Sequence, residues 1–278
     1  LADSLIDEPS PEAREQLLLA EPELVTPELV TALSRRAGQS AQMQMYAAAQ
    51  VGFERMREVA RRLGHAKLEG EALQNLANAL YFQRKMPEAL HAYEDRLTIE
   101  RTRDDPEGIA AALVGIATIR YTFAEYQSAL TTYREALAIQ ERLGDASTTA
   151  TTLISTGNVL YLQGEFSAAI VDYSRSRDLH RKTVNSSGEA DALEGLGRVF
   201  LAQGDYGAAL EALAGVLADG KARDHRHDQG TALLSIGDVH FRLGNLDQAR
   251  AALAESRAHF EAVKDLAYSG RTLQALAL

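Results

Sequence analysis

The chain has 278 residues, a formal net charge of −10 and no cysteine. Without cysteine there is no disulfide framework, no thiolate nucleophile and no cysteine-bound metal, and the expected compartment is the cytoplasm. Abundant Ala and Leu with only 6 prolines are typical of a helical protein. No apolar run approaches the ~20 residues that a membrane-spanning helix needs.

The negative charge is concentrated at the start of the chain. Residues 1–30 carry eight carboxylates against Arg14 alone, a net of −7, which leaves −3 for all the rest. Because no basic stripe is present to displace counterions from phosphates, we expect no nucleic-acid partner. We expect the acidic start to be a solvated helix face and not a docking tail.

The first predicted helix covers about residues 11–20. Ser10–Pro11 is typical of a helix cap followed by proline at the first helical position, and Thr26–Pro27 marks the next helix start in the same way. We assign residues 1–29 to an N-terminal acidic capping region, whose short helix would cover the open apolar face of the helices from residue 30 onward.

From residue 30 onward the sequence repeats every 40 residues without an insertion. An Ala recurs, an aromatic residue or Leu follows it by four positions, a small residue precedes it by twelve, and a Leu precedes that by four. The recurring alanines are Ala49, Ala89, Ala129, Ala169, Ala209 and Ala249. The larger residues after them are Phe53, Tyr93, Tyr133, Tyr173, Leu213 and Leu253. The frame predicts six units over 30–69, 70–109, 110–149, 150–189, 190–229 and 230–269, and a truncated first helix of a further unit over 270–278.

This spacing predicts two closely packed helices in each unit, which we call A and B. The Leu at unit position 4 and the small residue at position 8 share one face of helix A. The Ala at position 20 is the matching small residue on helix B. Gly164, Gly204 and Gly244 stand where a left-handed residue would end helix A. Asp205 and Asn245 come next as candidate caps of helix B.

These residues resemble the tetratricopeptide repeat family over roughly residues 30–269. The resemblance implies an all-α, right-handed superhelical solenoid of antiparallel helical hairpins, with the A helices lining its concave side. The usual unit of the family has ~34 residues, so we expect the extra residues to lengthen the helices and the B-to-A turns. The 40-residue unit resembles that of kinesin light chains, spindle-orientation scaffolds, bacterial peptide-sensing receptors and the arrays preceding bacterial caspase-like domains, all of which are binding modules.

The same resemblance places unit positions 2, 5, 6, 9, 12 and 13 in a ligand groove. Glu71 is the only charged residue at these positions in the units that start at residues 70, 110 and 150, whereas the units that start at 190 and 230 carry Asp191, Glu194, Arg198, Asp238 and Arg242. The candidate groove residues are Gln74, Asn78, Tyr81, Tyr121, Asn158, Tyr161, Glu194, Arg198, Asp238, Phe241 and Arg242.

The chemistry of this set suits a peptide. An Asn side chain offers both a donor and an acceptor to a peptide backbone, and Tyr supplies apolar area with a polar tip. Arg198 and Arg242 could meet an acidic group of the ligand. The alternatives are that the tyrosines only pack between helices, that the asparagines have no partner, and that the arginines pair with Glu194 or Asp238.

No catalytic motif is present: the sequence lacks a P-loop, G-x-G-x-x-G after a strand, G-x-S-x-G and H-E-x-x-H. We therefore expect no enzyme activity, no cofactor and no metal. The run 224–228, with His225 and His227, is the one candidate metal cluster. Its central Arg226 opposes a cation, so we interpret the run as a solvated polar turn. His240 is predicted to be a packed core residue.

The expected function is a cytoplasmic, bacterial scaffold that binds a protein or peptide, without membrane contact. The helical pattern stops at Ala277–Leu278 within a seventh helix A, so we expect a fragment of a larger protein. The alternative is a regulatory module of a C-terminal catalytic domain, such as a caspase-like peptidase. A third hypothesis is self-association through the apolar positions Leu273 and Leu276.

Overall fold

The protein is all-α, as predicted. A computed structural model describes residues 1–276, which form fifteen consecutive α-helices and no strand. The helices are α1 Ala2–Asp7, α2 Pro11–Ala20, α3 Pro27–Gln42, α4 Tyr46–Arg62, α5 Ala66–Phe82, α6 Met86–Thr102, α7 Pro106–Thr122, α8 Tyr126–Leu143, α9 Ala146–Leu162, α10 Phe166–Lys182, α11 Ser186–Gln203, α12 Tyr206–Ala222, α13 Arg226–Arg242, α14 Leu246–Ala262 and α15 Leu266–Leu276. From α3 onward, odd-numbered helices are A helices and even-numbered ones are B helices. The chain divides into two compact units, Leu1–Ile139 and the part from Gln140 onward.

The N-terminal helices α1 and α2 belong to the core of the first unit. Leu5 and Leu18 are each 1% exposed and join the cluster that contains Leu33 and Phe53. The buried Arg14 donates to Pro9 O at 2.8 Å and pairs with Glu58 at 3.1 Å. Carboxylates of this acidic region also pair with arginines of the first hairpin, in Asp3–Arg36 and Glu15–Arg62. The acidic start therefore packs onto the hairpin array.

Each A–B hairpin is held by the close contact that the sequence predicts. The six recurring alanines at unit position 20 are at most 3% exposed. The opposing small residues leave no room for a larger side chain. A Cβ added at Gly197 would lie 2.9 Å from Leu213, and one added at Gly237 would lie 2.7 Å from Leu253.

The turns recur with a constant period of 20 residues. Gly164, Gly204 and Gly244 each have φ of +77°, which confirms the predicted left-handed ends of the A helices. Equivalent left-handed residues end the other helices from α3 to α14: Gln44, Gly64, Arg84, Asp104, Ala124, Gly144, Val184, Asp224 and Lys264.

Both kinds of turn have the same length. Two or three residues connect helix A to helix B, and likewise helix B to the next helix A. The prediction of longer B-to-A turns was therefore wrong, because the extra residues of the unit extend the helices to 16–18 residues. Asp205 caps α12 by accepting from Ala208 N at 3.1 Å, whereas Asn245 makes no side-chain cap.

At the end of the described chain, α15 continues the pattern as a seventh helix A. Leu273 is 45% exposed on it. The side chain of Leu276 and residues Ala277 and Leu278, on which the fragment and self-association hypotheses partly depend, lie outside the described residues. Within residues 1–276, none of the helices combines the length and apolar character needed to cross a bilayer.

Candidate ligand groove on the A helices

Asn158, Tyr161 and Arg198 come together in the second compact unit, which begins at Gln140. The guanidinium of Arg198 on α11 donates from Nη2 to Asn158 Oδ1 at 2.7 Å, and its Cζ lies 5.5 Å from the centre of the Tyr161 ring. The Tyr173 hydroxyl, from helix B of the same hairpin, also donates to Asn158 Oδ1 at 2.7 Å. Four side chains from three helices thus form one polar network.

The network fixes the orientation of the Asn158 amide. An arginine can only donate hydrogen bonds, so the oxygen of Asn158 must face Arg198 and its NH2 group must point elsewhere. Among residues 1–276 this NH2 group donates no hydrogen bond. Both a donor and an acceptor were predicted to be available on this amide, but only the donor side is.

Tyr173 reaches the groove because the helices around it carry glycine. A Cβ added at Gly157 or Gly195 would lie 2.8 Å or 2.4 Å from the Tyr173 ring. The ring is fully buried, and only the hydroxyl extends to Asn158. In the sequence, Tyr173 stands out only as the larger residue four positions after the recurring Ala169. The signal that could have shown its second role is the hydroxyl, since Leu213 and Leu253 fill the same position without one.

Glu194 is a half-buried carboxylate on α11, one helical turn before Arg198. It makes no hydrogen bond or close ion pair within the described residues. Burial raises the pKa of Glu194 above its usual value; Arg198 opposes this shift, and the carboxylates of Asp191 and Asp228 add to it. The predicted alternative for Arg198, pairing with Glu194 or Asp238, was therefore wrong, because its guanidinium bonds to Asn158 instead.

Asp238, Phe241 and Arg242 on α13 lie around a cavity of about 590 Å³. Arg242 pairs with Asp238 at 3.3 Å, as one of the alternatives predicted. Leu253 of α14 and Gly237 also line the cavity, together with Leu201, Leu234 and Arg271. Leu253 occupies the position held by Tyr173 two units earlier, and its shorter side chain leaves this space open. Phe241 is 41% exposed.

The first compact unit, Leu1–Ile139, contains a matching network around Asn78. Arg96 donates to Gln74 Oε1, so Gln74 Nε2 is free to donate to Asn78 Oδ1, at 3.2 Å. The Tyr93 hydroxyl donates to the same oxygen at 2.6 Å, and burial raises the pKa of Tyr93 to about 12. Asn78 therefore has the same orientation as Asn158, with its oxygen occupied and its NH2 group without an acceptor among residues 1–276.

The three groove tyrosines are half-buried and contact aromatic neighbours. Tyr81 meets Phe82 edge-on at 5.6 Å, whereas Tyr121 and Tyr161 meet the first residue of the following helix B, Tyr126 at 6.0 Å and Phe166 at 5.9 Å. Each tyrosine thus contacts an aromatic neighbour in its own hairpin and keeps part of its surface open, and Tyr161 also meets Arg198 of the next repeat.

The histidine run 224–228 is better ordered than predicted. Asp224 lies in the turn, His225 precedes α13, and the rest forms its first turn. Asp228 accepts from Arg223 and lies 2.8 Å from His225, while His227 contacts the rings of Phe260 and Tyr268. The described residues contain no group of His, Asp and Glu arranged to hold a metal ion. His240 is half-buried, and its Nδ1 has no partner.

Comparison with known families supports the repeat. Two models of the tetratricopeptide repeat match, one over residues 108–182 and 157–218 and the other over 196–263, together more than half of the chain. The comparison with curated proteins gives no match.

Several solved structures share the fold. A STAND protein (Signal Transduction ATPase with Numerous Domains) with a tetratricopeptide repeat sensor, from Pyrococcus horikoshii, has a TM-score of 0.73 at 18% identity, over 91% of this chain and 40% of that one. A Rap protein complexed with Competence and Sporulation Factor has a TM-score of 0.66 at 14% identity, over 99% and 81%. A putative kinesin light chain from Podosopora anserina has a TM-score of 0.61 at 16% identity, over 72% and 97%.

Proposed function

The chain belongs to the tetratricopeptide repeat family, and from this premise we propose that it binds an extended peptide segment of another protein on its A-helix face. The observation that carries the proposal is the oriented amide of Asn158. Its oxygen is held by Arg198 and Tyr173, so its NH2 group is a pre-positioned donor for a peptide carbonyl. Pre-positioning lowers the entropy cost of binding.

The neighbouring residues extend this site. The open surface of Tyr161 offers apolar contact, and the cavity beside Phe241 can take an apolar side chain of the peptide. Glu194 has no partner of its own, so it suits a peptide N–H or a basic side chain. The exposed pair of Asp238 and Arg242 lies at the cavity and can exchange its partner for a polar group of the peptide.

The first unit offers a second contact region of the same chemistry. Asn78 is oriented by Gln74 and Tyr93 as Asn158 is by Arg198 and Tyr173. Tyr81 and Tyr121 supply half-buried aromatic surface near it in the repeat frame. We propose that Asn78 also donates to a peptide carbonyl.

The proposal describes a binding module and not an enzyme, with a protein or peptide as partner and no nucleic acid or membrane. We further propose a cytoplasmic, bacterial protein in a sensor or recruitment role. The likeness to a Rap protein complexed with Competence and Sporulation Factor supports peptide binding. The alternative, regulation of a catalytic domain of the same polypeptide, would use the same face. It predicts a ligand in cis, whereas a scaffold binds its ligand in trans.

Peptide selection tests the proposal. A random peptide library displayed on phage is selected on the immobilised protein, and the affinity of an enriched peptide is measured by fluorescence anisotropy. Asn158→Ala and Tyr161→Ala should each weaken binding about tenfold or more, as expected for central contacts. Val171→Ala, a position 63% exposed on helix B of the same hairpin and outside the groove positions, is the matched control and should change affinity less than about twofold. Unchanged affinity in both groove variants, with the helical circular dichroism intact, would rule out this site.

A further inference from the structure

The B helices α10 and α12 flank a cleft of about 680 Å³ that shares no residue with the groove. Leu193, Leu196 and Phe200 of α11 form its apolar floor. Arg177 and Arg181 line the α10 side, and Glu211, Gly215 and Asp219 line the α12 side. Both the size and the mix of an apolar floor with a few polar groups are typical of small-ligand sites.

The cleft is open because Gly215 stands where other units place a charged side chain. Its equivalents in the three preceding units are Asp95, Glu135 and Arg175. Each of these forms an ion pair with the preceding helix B: Arg57–Asp95 at 2.7 Å, Arg101–Glu135 at 3.4 Å and Arg175–Glu141 at 2.7 Å. The cleft at the Arg57–Asp95 pair measures about 320 Å³, roughly half the volume of the open one.

The basic side of the open cleft repeats that of the closed one. In the closed cleft, Arg57 of the first repeat pairs with Asp95 while Arg61 donates to Glu69 at 3.1 Å. In the fourth repeat, Arg181 donates to Glu189 at 3.0 Å in the same way, but Arg177 forms no ion pair across the cleft among the described residues, although Glu211 and Asp219 line the α12 side. Arg177 instead donates to Asp178, the adjacent residue, at 2.8 and 3.0 Å. This pair is exposed and therefore weak.

The missing side chain also uncovers the floor. The leucine at unit position 4 is at most 5% exposed in the other five units, but Leu193 is only half-buried. A Cβ added at Gly215 would lie 3.0 Å from Leu193 Cδ1. The same substitution thus removes a carboxylate partner and exposes apolar surface beside it.

We propose that this cleft binds a small organic acid. The carboxylate of this acid takes the place that Asp95 fills in the closed cleft, and it accepts a hydrogen bond from Arg177. The apolar body of the acid covers Leu193, Leu196 and Phe200. The carboxylates of Glu211 and Asp219 on the opposite side, the latter paired with Arg223, disfavour a second negative charge. The ligand class is therefore a monocarboxylate with an aromatic or branched aliphatic body.

Ligand-observed NMR titration of the whole protein tests this, with 4-phenylbutyrate as the probe and 4-phenylbutanol as its uncharged counterpart. The acid should bind saturably and about tenfold more tightly than the alcohol, because it gains a charge-assisted hydrogen bond. Gly215→Asp should restore the bridge to Arg177 and abolish binding. Arg177→Gln should abolish the preference for the acid without touching α12, so the test does not depend on the folding of one variant.

The matched controls are Arg175→Gln, on the same helix, and Asn158→Ala, in the groove; both should keep the acid bound. No saturable binding, equal affinity for the alcohol, or unchanged binding in Arg177→Gln would overturn the proposal. The proposal would also be overturned if the blocked peptide acetyl-Glu-Leu-Phe-amide bound more tightly than 4-phenylbutyrate and lost this binding in Arg177→Gln. That result would assign the cleft to an acidic side chain of a partner protein.

Discussion

Tyr173 connects the packing of the second unit to its groove, because one side chain fills the space between helices and orients Asn158. A methyl group at Gly195 would lie 2.4 to 2.6 Å from three atoms of its ring. We therefore predict that Gly195→Ala lowers the free energy of unfolding by about 1–3 kcal/mol and also weakens peptide binding. Urea denaturation and fluorescence anisotropy measure the two effects.

The control for this prediction is Gly207→Ala on α12. A Cβ there meets only Asp205 Oδ1, at 3.7 Å, which is an ordinary contact. Since Ala is the better helix former, this variant should be as stable as the wild type or up to about 1 kcal/mol more stable. Equal stability of the Gly195→Ala variant and the wild type would contradict the packing described for Tyr173.

His180 makes stability depend on pH. Its side chain is buried against Gly188 with neither ring nitrogen hydrogen-bonded, and burial lowers the pKa of His180, opposed by Asp191 and Glu189. The unfolded chain takes up a proton near pH 6.5, while the folded chain does so only at lower pH. Stability should therefore fall as pH drops below about 6.5.

We predict that His180→Phe reduces this pH dependence. Phe260 occupies the equivalent position two units later, buried against Gly230, so an aromatic ring without nitrogens fits the site. The variant should be more stable by about 1–3 kcal/mol, because no unsatisfied polar group remains buried, and its advantage should grow towards pH 5.5. The test is to measure the urea midpoint of unfolding at several pH values. If the midpoint of the variant falls with pH as steeply as that of the wild type, another group titrates.

At the scale of elements, the turns leave strain in the molecule. Val184 has φ of +55° between α10 and α11 and is 90% exposed, so no packing compensates its left-handed conformation. We predict that Val184→Gly raises the free energy of unfolding by about 1 kcal/mol, since glycine adopts this conformation without a Cβ clash. The reverse change at the equivalent turn one repeat earlier, Gly144→Val, should lower stability by a similar amount, since Gly144 has φ of +71°. A lower thermal midpoint for Val184→Gly would contradict this explanation.

The hairpins could be predicted because each close contact shows in the sequence as a small residue at a fixed spacing, as at Gly197 and Ala209. The turn lengths could not be predicted from the sequence, because residues as different as Val184, Arg84 and Lys264 adopt the left-handed conformation that glycine adopts in other turns. Turn geometry here is imposed by the packed helices on both sides and not by the turn residue.

The candidate groove residues could be chosen from their unit positions, but their partners could not. The orientation of Asn158 depends on Arg198, which comes from a different repeat, and on Tyr173, which comes from helix B. A pattern that considers one helix at a time predicts pairing of Arg198 with Glu194, one turn away. In the structure, contacts among α9, α10 and α11 direct Arg198 to Asn158 instead.

At the scale of the whole molecule, the chain divides into two compact units, and each repeat contacts mainly its neighbours, as in other repeat proteins. A destabilising change should then act locally. We predict that Gly195→Ala reduces amide protection within 140–276 more than within 1–139, measured by hydrogen exchange with mass spectrometry. Equal loss in both units would indicate that the chain unfolds as one cooperative body.

The claim that peptides bind on the A-helix face is tested most directly by site-specific photocrosslinking of a selected peptide. The photoreactive residue p-benzoylphenylalanine replaces either Tyr161 in the groove or Val171, which is 63% exposed on α10. We predict a covalent peptide adduct at position 161 and none at position 171. An adduct at 171 without one at 161 would contradict peptide binding on the A-helix face.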